Sequence, residues 1–134
     1  MAGTVVTIEE SVDLAAPLER VWALVSSSQG LSRWFVDATV VPGISGSVTL
    51  RFAPGAEGTM PIQIWEPPYR FRFGAAEGEP GRAHEIRLIE GRLGDTQVRL
   101  IDVGLSDAEL EPTRMSWRSM LIKLKSLAEK GSPL

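Results

Sequence analysis

Near the start of the chain, Val6, Ile8, Val12 and Leu14 share one parity, while Thr7, Glu9, Ser11 and Asp13 take the other. Alternation at period two predicts a half-buried strand over residues 6–14. Glu10 falls on the apolar parity and has no place in that pattern. Pro17 suits the first turn of a helix, where a missing N–H costs nothing. Val21, Trp22, Leu24 and Val25 give that helix an apolar face, and the Ser-rich run from 26 to Gly30 ends it. Residues 31–35 form at most a short helical turn, closing on the adjacent aromatics Trp34 and Phe35.

From residue 36 to 105 the period changes to two. Strands are expected over 36–41, 47–52, 60–65, 69–73, 84–88 and 97–102, with 53–58 and 74–81 as loops, the second rich in Gly, Ala and Glu. Short turns such as Pro42-Gly43 and Glu66-Pro67-Pro68 make neighbouring strands adjacent and antiparallel. Within 60–65, Met60, Ile62 and Ile64 take the apolar parity. Trp65 falls on the polar one, beside Arg70 and Arg72 of the next strand, which predicts a Trp–Arg stack on the outer face.

A sheet with one greasy face must be covered. Trp117, Met120, Leu121, Leu124, Leu127 and Ala128 recur at helix spacing near the end of the chain and supply the cover. Thr113 is the expected N-cap and Gly131 the expected stop. A helix of about 17 residues spans about 25 Å, enough to cross the sheet.

The chain has 134 residues, the size of one domain spanning 1–134. It contains no cysteine, which excludes disulfides and Cys-ligated metal sites and makes a reducing, cytoplasmic setting the plainer expectation. Residues 1–6 carry no basic run or long apolar segment, so no signal peptide is expected. No apolar run approaches the roughly 20 residues of a membrane span. Fourteen basic and seventeen acidic side chains leave a formal charge of −3, with no basic block beyond Lys123, Lys125 and Lys130. Nucleic acid is therefore disfavoured as a partner.

The block Ala16-Pro17-Leu18-Glu19-Arg20-Val21-Trp22, followed by Trp34-Phe35, resembles the opening of the SRPBCC (START-like) superfamily. It most resembles the small bacterial branch related to the activator of the ninety-kilodalton heat-shock-protein ATPase. Gly58 through Glu66-Pro67-Pro68-Tyr69-Arg70-Phe71, then Thr96 to Leu105, then Trp117 with Leu121-Ile122-Lys123-Leu124-Lys125, resemble later parts of that branch in the same order. Three positions depart from it. Asp102 stands where the branch often has His, Ser116 where a glycine is usual, and Ala75 where the strand often reaches a Trp.

The resemblance implies an α+β helix-grip fold, in which a curved antiparallel sheet of β-α-α-β6-α order wraps around a long C-terminal helix. Such folds hold a hydrophobic cavity between sheet and helix. By spacing, Val48, Leu50, Phe52, Met60, Ile62, Ile64, Phe71, Phe73, Ile86, Leu88, Val98 and Leu100 are its expected walls. Trp117, Met120, Leu121 and Leu124 face them from the helix, and Trp34 and Phe35 could gate the mouth. The plainer alternative is a filled core, which most small domains build. His84 and Asp102 also fall on apolar parities, where they could orient a ligand or satisfy each other.

The expected function is binding of a small apolar ligand without a cofactor, metal or catalytic residue. One alternative is a chaperone-ATPase regulator active in the stress response, working through an outer face that includes Trp65, Arg70 and Arg72. Another is a cavity enzyme, such as a cyclase or dehydratase, using His84 or Asp102 as acid or base. Exposed aromatics and an edge strand would also allow a homodimer.

Overall fold

A computed structural model describes residues 5–130. Strand β1 (Val5–Leu14) leads into helices α1 (Leu18–Ser26) and α2 (Ser28–Trp34). Six strands follow: β2 (Asp37–Val41), β3 (Ser47–Ala53), β4 (Ala56–Glu66), β5 (Arg70–Gly74), β6 (Ala83–Glu90) and β7 (Thr96–Ser106). The long helix α3 (Leu110–Lys130) comes last. All strand pairs are antiparallel, in the order β1-β7-β6-β5-β4-β3-β2. This is the expected α+β order.

The local chemistry explains the helices. Pro17 sits at the extended N-cap of α1. The serine run does more than end that helix, because the Ser27 hydroxyl accepts from the Gly30 amide and starts α2. The expected single turn is thus a seven-residue helix. Helix α3 also starts earlier than Thr113. A 3-10 turn at Asp107–Glu109, where the Glu109 carboxylate accepts from the Ser106 amide and hydroxyl, runs straight into α3, which is itself 21 residues long. The expected stop at Gly131 lies outside the described residues.

The core lies between the inner sheet face and α3. Ile8, Leu14, Phe71, Phe73, Ile86, Leu88, Val98 and Leu100 meet Trp117, Leu121, Leu124 and Ala128, all buried. Each fully buried side chain of this size adds roughly 1.5–3 kcal/mol. Trp34 is buried as well, and its indole Nε1 donates to the Leu24 carbonyl at 2.8 Å. Glu10, anomalous in the sequence, faces the helix on the inner side of β1. It accepts a 3.0 Å hydrogen bond from Arg118 Nε and lies 3.5 Å from Arg114 Nε.

Three bulges re-aim side chains. Ile62 pairs with Phe73 but Ile64 with Arg72, so Gln63 is an extra residue in β4. The parity flips there. Trp65 faces inward, with its ring 5.5 Å from that of Trp22 and 5.2 Å from that of Phe71. Ile64 shares the other face with Arg72. The expected Trp65–Arg stack is therefore replaced by an aromatic cluster, and Ile64 is removed from the cavity wall. A second bulge leaves Phe52 unpaired in β3 and 61% exposed. The third inserts Gly104 into β7.

On the outer face, Arg70, Arg72 and Arg87 all donate to Glu85, whose side chain is 1% exposed. Burial disfavours its charge, but those three donors hold its carboxyl below the usual carboxylate range. No helix among the described residues is long and apolar enough to cross a membrane.

Candidate functional site

Sheet register brings the site together. His84 on β6 lies directly opposite Asp102 on β7. Beyond them, two glycines let the loop of residues 75–82 sit flush against the strand ends. Gly104 has φ +86, and a Cβ there would lie 2.4 Å from the Gly81 carbonyl oxygen. Gly74 has φ +108, and a Cβ there would lie 2.4 Å from the Arg82 carbonyl oxygen. The close approach delivers Arg82 over Asp102. Arg82 Nη2 donates to Asp102 Oδ1 at 2.8 Å, and its Nε donates to the Val103 carbonyl at 3.1 Å.

The Asp102 side chain is 1% exposed, yet both oxygens are engaged. Oδ2 accepts from the Trp117 indole Nε1 at 2.7 Å. This carboxylate joins the helix, the sheet and the loop. His84 Nε2 stands 3.6 Å from Asp102 Oδ1, beyond hydrogen-bond range, and the buried Nδ1 has no partner. Aromatic rings enclose the imidazole. Phe73 stacks on it at 5.1 Å, the Trp117 ring lies 5.8 Å away, and the Phe35 ring 6.0 Å away. Burial pulls the His84 pKa down to about 4, with Arg82 adding to the fall and Asp102 only partly opposing it. The imidazole is therefore neutral at pH 7.

Beside this polar end opens a pocket of about 850 Å³. Phe35 and Val36 form one wall, Phe52 and Met60 another, and His84, Asp102 and Arg82 the inner end. The roof is the first half of α3, from Pro112 through Met115, Ser116 and Trp117 to Met120. Phe35 stacks on Trp117 with ring centres 4.9 Å apart, so wall and roof are braced together.

Of the residues expected from the sequence, Phe35, Phe52, Met60, His84, Asp102, Trp117 and Met120 line this pocket. Val48, Leu50, Ile62, Phe71, Phe73, Ile86, Leu88, Val98, Leu100, Leu121 and Leu124 do not. They fill the core beside it. Trp34 is no gate, because its indole is bonded inside the α1–α2 corner. Ile64 is turned to the other sheet face. No sequence pattern pointed to Arg82, which sits at a loop end where no periodicity exists. Met115 and Ser119 escaped because only the main apolar stripe of α3 was expected to face the sheet.

No protein-family model and no curated protein sequence matches the chain. Solved structures do. The Aha1 dimer from Colwellia psychrerythraea superposes with a TM-score of 0.78 at 18% identity, over 96% of this chain and 99% of that one. CalU16 from Micromonospora echinospora gives 0.76 at 24% identity, over 97% and 78%. DynU16, from the dynemicin biosynthetic locus, gives 0.76 at 20%, over 95% and 48%. These likenesses carry the fold. The chain shares their fold, the helix-grip α+β architecture expected from the sequence.

Proposed function

We propose that this helix-grip domain binds a small, largely apolar molecule in the pocket beneath the first half of α3. One observation carries the reading: the space between sheet and helix is filled at one end and open at the other. The core half is packed from Leu14 to Ala128, whereas some 850 Å³ stands open beside His84 and Trp117. That volume falls within the roughly 300–1,000 Å³ of small-molecule sites, and an apolar wall with a few convergent polar groups is their usual build.

Acid–base catalysis is less well supported. A base with a pKa near 4 is weak at neutral pH, and both oxygens of Asp102 are already engaged. The chaperone-regulator reading loses much of its expected surface, since Trp65 faces the core and Arg72 is buried against Glu85. The Colwellia relative was solved as a dimer, and a similar assembly of this chain is a proposal for sedimentation to test.

The binding reading is tested with the uncharged dye N-phenyl-1-naphthylamine. Saturable binding is expected for the natural chain. Ser116→Trp, which places a bulky ring in the pocket from an exposed helix position, is expected to weaken it at least tenfold at unchanged unfolding midpoint. No saturable binding to the natural chain, or equal binding by Ser116→Trp, would overturn the reading.

A further inference from the structure

Resting on that reading, we infer that the pocket takes apolar ligands of unlike outline, and that Met60, Met115 and Met120 are the residues that set this breadth. The inference comes from where the chain places its methionines. It has four, and three of them line the pocket. The fourth, Met1, lies outside the described residues. None of the three stands among the buried hydrophobic side chains, which are Leu, Ile, Val, Ala, Phe and Trp.

The three come from both sides of the opening. Met60 reaches it from β4, where it pairs with the buried Val48, and Met115 and Met120 reach it from α3. Met60 and Met120 are half-buried against the edge of the core, and Met115 is 68% exposed. Each keeps free surface instead of being packed on every side. A methionine side chain is unbranched, with three rotatable bonds and a polarizable sulfur, so it settles into whatever gap a neighbour leaves. Branched and ring side chains hold one outline, and a hydrophobic pocket made of them discriminates between ligands that differ by one methylene by about 10–200-fold. Pliant side chains on facing walls lower that discrimination, because the lining repacks around each ligand.

The inner end has the opposite build. Phe35 stacks on Trp117, the Trp117 indole is bonded to Asp102, and Asp102 is held in turn by Arg82. A fixed end and a pliant end divide the pocket. Ligands therefore seat a common part against the ring stack and differ in the part that lies among the methionines.

Three probes share a phenol ring and a carbon count but differ in the second half: 4-hexylphenol, 4-cyclohexylphenol and 4-phenylphenol. Their affinities are read by displacement of N-phenyl-1-naphthylamine and corrected for partition between octanol and water. For the natural chain they should agree within about tenfold, at the foot of the range for a stiff pocket. In the triple variant Met60→Leu, Met115→Leu, Met120→Leu, which nearly conserves volume but adds branches, the spread should exceed about tenfold. A merely roomy pocket would be indifferent to that exchange.

The methionine ε-methyl groups give a second measurement on the natural chain. With four methionines in all, a ¹³C ε-methyl spectrum holds few signals, and single Met→Leu variants assign them. The signals of Met60, Met115 and Met120 should move on binding, to positions that differ from probe to probe as the rotamers change. This spectrum decides the matter even if the triple variant does not fold. A spread well beyond about tenfold in the natural chain, an unchanged spread in the triple variant, or methionine signals that ignore the bound probe would overturn the inference while leaving the pocket's role intact. So would a dye that binds saturably and is displaced by none of the probes. Failure of dye and probes alike would remove the binding reading itself.

Discussion

The indole of Trp117 donates to Oδ2 of Asp102 across 2.7 Å, with both side chains buried. The bond ties α3 to the strand beneath it at the point where packed core gives way to open pocket. Asp102 also takes Arg82 from the loop of residues 75–82, so one carboxylate holds three parts of the chain in register.

Trp117→Phe should therefore cost more than its lost packing. It leaves a buried carboxylate oxygen unsatisfied, which costs roughly 1–3 kcal/mol and more for a charged group. Urea unfolding should show a lowered midpoint. Asp102→Asn, which can still accept from the indole, should be destabilised less than Asp102→Ala, and the reverse order would count against this account.

Acid should weaken the fold in two stages. The His84 pKa is about 4 in the folded chain, against 6.5 for the free side chain. Between those values the unfolded chain takes up a proton that the folded chain refuses. Stability should therefore fall as pH drops from 6.5 towards 4, by on the order of 3 kcal/mol in all. Glu85 adds a second loss lower down, as its depressed carboxyl is finally protonated. Unfolding midpoints measured from pH 7.5 to 4 should show the first limb, and His84→Phe should flatten it between pH 6.5 and 5.

Gly104→Ala should be disruptive despite its size. The new Cβ would meet the Gly81 carbonyl at 2.4 Å, at a φ that side chains rarely adopt. A loss of roughly 1–3 kcal/mol is expected. A crystal structure of the variant should show the loop displaced and the Arg82–Asp102 bond lengthened or broken.

Deleting Gln63 should restore a regular ladder between β4 and β5 without disturbing the aromatic cluster. With the extra residue gone, Ile64 still opposes Arg72 and Trp65 still opposes Phe71, so Trp65 keeps its place against Trp22. Acrylamide quenching of the tryptophan fluorescence should not rise, and a rise would count against Gln63 as the inserted residue.

The order of elements was legible because each strand and helix carries its own period. The inward placing of His84 and Asp102 followed from the same parity. What escaped did so where a period breaks. The bulge at Gln63 inverts the parity of Ile64 and Trp65, and nothing in the composition of 60–65 announces an inserted residue. Phe52 does line the pocket, but from a bulge and more than half exposed rather than from a regular inward position. Glu10, unreadable from its own strand, becomes intelligible only beside Arg114 and Arg118, more than a hundred residues away in the chain. Arg82 is fixed by glycine geometry at Gly74 and Gly104, a tertiary fact that periodicity does not encode.

The residues that hold this fold together and those that line its opening are largely different sets. Phe52, Met115, Ser116 and Ser119 border the pocket from exposed positions, while the packed half draws on Ile8, Phe71, Leu100 and Leu124. Substitutions at exposed positions usually change stability by about 0.5 kcal/mol or less. A lineage built on this plan can thus exchange one cargo for another through its rim while the vessel stays intact. Only the His84–Asp102–Trp117 corner binds the two concerns together, and there a change of cargo would be felt by the whole molecule.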